Sequence, residues 1–147
     1  MALRWHDRAF DELTIAELYA ITALRESVFI VEQSCPYLDA DGLDPASRHL
    51  WAAADDGALH AYCRIVPPGV KFDEISIGRV ITAKHARGTG LGKELVRRAL
   101  AICGARDVRI GAQAHLERFY NELGFERASE PYDEDGIPHI EMLRATR

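Results

Sequence analysis

The chain has 147 residues, 48% of them apolar, with 23 acidic and 18 basic side chains and a net charge of −5. That supplies an ordinary core for one domain over residues 1–147, and it excludes a disordered chain and a general nucleic-acid binder. No apolar run reaches membrane-spanning length, no leader-like segment opens the chain, and Cys35, Cys63 and Cys103 are odd in number and far apart, as expected of reduced thiols in a cytoplasmic protein rather than of a disulfide framework or a metal site.

In chain order, Ala2 to His6 reads as a short edge strand. Thr14-Ile15-Ala16-Glu17 has capping-box spacing, so a helix starts at Ile15 and runs to about Phe29. Leu18, Ile21, Leu24 and Val28 form its apolar side. Val28 to Gln33 is apolar and β-branched for a helix end, so the chain is expected to bend there into a packed segment facing a site. Ser34 to Ser47 is turn-rich. Asp39, Asp41 and Gly42 within it lack the spacing and terminal glutamate of a calcium loop and read as a solvated turn. His49–Ala54 and Leu59–Val66 form a hairpin around Asp55-Asp56-Gly57-Ala58. Glu74–Thr82 is the next strand.

The chain then crosses Lys84-His85-Ala86-Arg87 into Arg87-Gly88-Thr89-Gly90-Leu91-Gly92 and a helix whose apolar side is Leu91, Leu95, Ala99, Ile102 and Cys103, closed by Gly104. The first N–H groups of a helix lack intrahelical partners, and its dipole adds positive charge at the same end. Glycines let that backbone approach a ligand closely. With Arg87 and Lys84 beside it, this stretch suits an anion such as a pyrophosphate. It is neither the Walker pattern nor Gly-x-Gly-x-x-Gly. Asp107–Gln113 follows as the fifth strand. Leu116, Phe119, Tyr120 and Leu123 mark a short helix stopped by Gly124, Phe125–Ala128 begins a strand, Tyr132–Pro138 is an acidic turn, and Ile140–Leu143 closes the chain. The sum is an α/β fold, in the α+β sense: a mixed sheet of about seven strands flanked by helices.

Arg87, Gly90 and Gly92 match the Arg/Gln-x-x-Gly-x-Gly/Ala loop with which the GNAT family of N-acetyltransferases holds acetyl-CoA, and Phe119-Tyr120-Asn121-Glu122-Leu123-Gly124-Phe125 resembles that family's late Tyr-x-x-x-Gly-Phe signature. Leu24 to Gln33, Cys35-Pro36-Tyr37, Gly111 to His115 and Asp135 to Ile140 resemble its ElaA-like branch. The resemblance implies the GNAT fold, acetyl-CoA as co-substrate without a metal, and transfer to an amine, either a small molecule or a peptide lysine.

It also implies roles. The backbone of Val80, Ile81 and Thr82 would pair with the pantetheine arm, and Arg87, Gly88, Thr89, Gly90, Leu91 and Gly92 would bind the pyrophosphate. Tyr120 would be the general acid, and Gln113 stands where the family usually has an asparagine. For the base, Glu32, His139, His49 and His115 stay open. Arg25 and Arg79 are open between an acceptor's carboxylate and ordinary ion pairs. Family habit allows a homodimer, for which the sequence marks no surface. A non-catalytic acyl-CoA-binding module is the alternative function.

Overall fold

The computed structural model describes residues 2–146. Among the described residues, eight strands form two four-stranded antiparallel sheets. The first has the order β1 (Arg4–Ala9), β2 (Arg48–Ala53), β3 (Leu59–Val66), β4 (Ser76–Thr82). In the second, β8 (Ile137–Arg144) lies between β5 (Val108–Gln113) and β6 (Glu126–Arg127) and also pairs with β7 (Tyr132–Glu134). The α/β class read from the sequence holds; the strand count and the division of the sheet are what the structure adds.

Helix α1 (Ile15–Arg25) has its capping box: the Glu17 N–H donates to Thr14 Oγ1 at 3.0 Å, and the Thr14 N–H donates to Glu17 Oε1 at 2.9 Å. The expected helix to Phe29 instead becomes a π-helical segment, Glu26–Glu32. Ser27 Oγ donates to the Leu24 carbonyl at 2.8 Å, and β-branched Val28, Ile30 and Val31 crowd the following turn. Such widened turns recur at functional sites. Ile21 and Val28 are buried as expected, whereas Leu18 is not.

Both faces of the first sheet are covered, and alternation decides which residue meets which helix. Leu50, Ala52, Ala61, Cys63 and Ile65 pack against Leu91, Leu95, Val96, Ala99 and Cys103 of α2 (Leu91–Cys103). Trp51, Ala53, Tyr62 and Ile81 meet Ile21 and Val28 on the other side. Within α2, Val96 is fully buried and Ile102 only partly, a small shift of the expected stripe.

Most strand ends shift by a residue or two, and three strands depart further from expectation. β1 lies later in the chain than Ala2–His6, because its register on β2 runs from Arg4↔Ala53 to Ala9↔Arg48. The acidic turn at Tyr132–Pro138 contains β7, whose exposed side chains carry no apolar alternation. Asp135-Gly136, with φ of 54° and 80°, makes the tight turn into β8, which starts three residues before Ile140.

Among the described residues one parallel bridge, Ile75↔Val108, links the backbones of the two sheets, with the Arg109 N–H donating to the Ile75 carbonyl at 3.0 Å. From there β4 and β5 separate, leaving a cleft between them lined by Val80, Ile81 and Thr82 on one side and Ile110, Ala112 and Gln113 on the other.

Candidate active site

This cleft has a volume of about 700 Å³. The N-terminus of α2 lies at one end of it. Gly90 is the N-cap, with φ of 82°, a conformation that glycine adopts without the Cβ penalty. It has no side chain to cap the helix, so the first-turn N–H groups stay open to an anion. Gly92 serves close approach instead: a Cβ there would lie 3.2 Å from Thr82 Oγ1 and 3.6 Å from Phe119 Cζ. Thr89 Oγ1 donates to the Ala86 carbonyl at 2.8 Å and fixes the turn.

β4 carries a bulge on the way to this end. Tyr62 pairs with Ile81 but Arg64 with Gly78, so Arg79 and Val80 together face Cys63. Arg79 takes φ of 49°, which costs a non-glycine residue about 1–2 kcal/mol. The bulge disrupts the ladder beside the cleft and turns the Arg79 side chain toward Phe29 and Tyr37, whose ring centres lie 5.9 and 5.7 Å from its guanidinium.

Tyr120, on the short helix α3 (Glu117–Asn121), lines the cleft while 6% exposed. Phe119 and Phe125 hold its ring edge-on at 5.0 and 5.8 Å. Burial pushes its phenol well above the ordinary range.

The π-helical segment bridges to the opposite walls. Arg87 Nη1 and Nη2 donate to Glu32 Oε2 and Oε1 at 2.6 and 2.9 Å, while Arg87 Nε donates to the Thr82 carbonyl at 3.1 Å. The Arg87 pair holds the Glu32 carboxyl below its ordinary range. Gln113 Nε2 donates to Gln33 Oε1 at 3.3 Å. Cys35 Sγ donates to the Asp135 carbonyl at 3.1 Å, tying this wall to the β7–β8 turn.

His139 lines the cleft with both ring nitrogens engaged: Nδ1 lies 2.7 Å from the Ile137 carbonyl, and Nε2 lies 3.3 Å from Glu134 Oε2. His115 also lines the cleft. His49 does not. It is buried, accepts from the Tyr62 hydroxyl at Nδ1 (2.7 Å) and donates from Nε2 to the Asp44 carbonyl (3.1 Å). Burial lowers its imidazole, which keeps the ring neutral and structural.

The solvated-turn reading of Asp39 and Asp41 fails against a network of three arginines. Arg25 Nε donates to Asp39 Oδ2 at 2.8 Å, and its Nη1 donates to Asp44 Oδ1 at 2.7 Å. Arg64, 1% exposed, donates from Nη1 to Asp41 (2.8 Å) and Asp44 (2.9 Å) and from Nη2 to Asp41 Oδ2 (2.5 Å). Arg79 Nε donates to Asp39 Oδ1 at 2.8 Å. Three arginines against three aspartates form a neutral block that pins the loop after the π-helical segment as a wall of the cleft. Arg25 is therefore committed to structure.

A family model described as acetyltransferase (GNAT) domain matches residues 36–145. Protein ElaA of Escherichia coli is 42% identical, the alignment covering 97% of this chain and 96% of that protein. A UPF0039 protein of Synechocystis is also 42% identical, with 97% and 96% covered. The crystal structure of an acyl-CoA N-acyltransferase from Pseudomonas aeruginosa superimposes with a TM-score of 0.93 at 44% identity, covering 98% of this chain and all (100%) of that one. That of Escherichia coli ElaA gives 0.90 at 41%, covering 97% and 99%.

Proposed function

The chain belongs to the GNAT acetyltransferase family, in its ElaA-like branch, and on that premise we propose that it is a single acetyltransferase domain that moves the acetyl group of acetyl-CoA directly onto a primary amine. The observation that carries the reading is the cleft itself. It runs between separated strands from an uncapped helix N-terminus to the buried phenol of Tyr120.

Gly88, Thr89, Gly90, Leu91 and Gly92 hold the pyrophosphate through backbone N–H groups at the start of α2, with Arg87 adding charge. Val80, Ile81 and Thr82 pair with the pantetheine arm along the bulged edge of β4, and a backbone N–H there polarises the thioester carbonyl. Gln113, through its side-chain amide, meets the arm from β5.

The amine lone pair attacks the thioester carbon, and the carbonyl electrons move to oxygen. Collapse of that intermediate forms the amide and breaks the C–S bond. Because burial keeps the Tyr120 phenol protonated at neutral pH, it meets the departing sulfur as a hydrogen-bond donor. The proton lost from the amine goes to Glu32 or, with Nε2 turned away from Glu134, to His139, directly or through water. Pyrophosphate competes with Glu32 for Arg87, so cofactor binding releases the carboxylate that faces the acceptor.

The test is CoA thiol release from acetyl-CoA across a panel of amines, with Tyr120→Phe beside wild type. Amine-dependent release that falls at least tenfold in the variant, at unchanged acetyl-CoA affinity, supports the assignment. Binding of acetyl-CoA with no amine acetylated would leave a cofactor-binding module instead.

A further inference from the structure

Two cations on the acceptor side of the cleft are not used by the chemistry above. Lys71, in the hairpin between β3 and β4, lines the cleft with its ammonium 5.5 Å from the centre of the Phe72 ring. It has no ion-pair partner among the described residues; Glu134 and Asp41 act on it only at longer range. Arg79 lines the same wall. Its Nε and Nη2 are spent on Asp39 and Asp41, which leaves Nη1 outside those bonds.

The aspartates beneath are already matched: Asp39 is shared by Arg25 and Arg79, Asp41 by Arg64 and Arg79, and Asp44 by Arg25 and Arg64. Lys71 is thus a positive charge added over a neutral block. The β7–β8 turn, also on the cleft wall, carries Glu134, whose Oε2 lies 3.3 Å from His139 Nε2, and Asp135. A lining with one cationic wall and one acidic lip suits a ligand bearing both an amine and an anion. After the pantetheine arm is accommodated, a cleft of about 700 Å³ leaves room for a small acceptor.

We propose that Lys71 and the free edge of Arg79 form a carboxylate subsite, so that the acceptor is an amino acid or a similarly small amine bearing a carboxylate. This rests on the acetyltransferase reading for the word acceptor, but the subsite has its own readout. Lys71 is an exposed side chain at the mouth of the cleft, so its ammonium is open to an incoming carboxylate.

The experiment measures binding of N-acetyl amino acids and their matched N-acetyl amides to CoA-saturated protein by calorimetry, for wild type and Lys71→Met. The same amino acids and amides are then run as acceptors in the thiol-release assay. About tenfold tighter binding of the acids, lost in Lys71→Met while the amides and CoA bind as before, supports the subsite. Equal binding of acid and amide to wild type overturns it, as does a Lys71→Met variant that weakens both alike. Acid-selective binding without turnover would keep the subsite and sink the acetyltransferase reading. Turnover of amines with no preference for a carboxylate would do the reverse.

Discussion

Replacing Arg64 by methionine tests whether the acceptor wall is held by charge. The side chain is 1% exposed and makes three hydrogen bonds, two to Asp41 and one to Asp44. Asp44 keeps Arg25 at 2.7 Å after the change. Asp41 keeps only the Leu43 N–H at 3.1 Å and a long contact to Arg79 at 3.3 Å. Breaking a buried pair from one side costs about 3–5 kcal/mol, because the remaining charge stays uncompensated. Asp41 has a side-chain exposure of 27% and can recover some water, which favours the lower end of that range. For a chain of this length, about 3 kcal/mol lowers Tm by roughly 6–12 °C.

Urea titration and thermal unfolding read the loss directly. Arg64→Met combined with Asp41→Asn should recover part of it, since the second change removes the stranded carboxylate. Because the pinned loop carries Tyr37 and Leu38 into the cleft, KM for the amine should rise in the single variant while KM for acetyl-CoA stays near wild type. A single variant within about 1 kcal/mol of wild type, or a double variant whose loss is the plain sum of the two singles, would refute the reasoning.

Gly90→Ala meets no atom within 4 Å of the new Cβ, so its cost is conformational: about 1–2 kcal/mol for the left-handed backbone, offset in part by the stiffer unfolded chain, with a raised KM for acetyl-CoA as the kinetic sign. Acid stability carries a defined sign. Burial raises the Asp41 and Asp44 carboxyls, but bonds from Arg64 and Arg25 outweigh it and hold both below the ordinary value near 4. Their contribution is therefore complete above about pH 4 and is lost as pH falls through the lowered folded values, so Asp41→Asn should flatten the acid limb of stability against pH. Glu32→Gln frees Arg87, so KM for acetyl-CoA should fall a few-fold at most. If Glu32 takes the proton, kcat falls and the acidic limb of the pH–rate profile disappears. An unchanged profile moves that role to His139.

Features that depend on neighbours in the chain were legible beforehand. Thr14 and Glu17 cap α1 through contacts three residues apart. Gly90 and Gly92 sit at the start of α2, and Leu91, Leu95, Ala99 and Cys103 bury the stripe their spacing predicts. Tyr120 stands out by its motif, and its place in the fold is on the cleft wall. The Asp135-Gly136 pair was a local hairpin signal too, masked by the polar residues around it.

What the tertiary structure decided are matters of long-range pairing, which no local pattern encodes. Among the described residues, a single bridge between Ile75, just before β4, and Val108 of β5 links the two sheets, and the cleft opens where the strands diverge beyond it. Arg25, Arg64 and Arg79 come from α1, β3 and β4, yet they converge on three aspartates of one loop. Glu32 reaches Arg87 across 55 residues. Short-range periodicity and capping fix which residues form an element and which face is apolar. Which charges meet, and where a sheet opens, depends on how those elements pack, because an ion pair or an unpaired strand edge is set by distance in space and not along the chain.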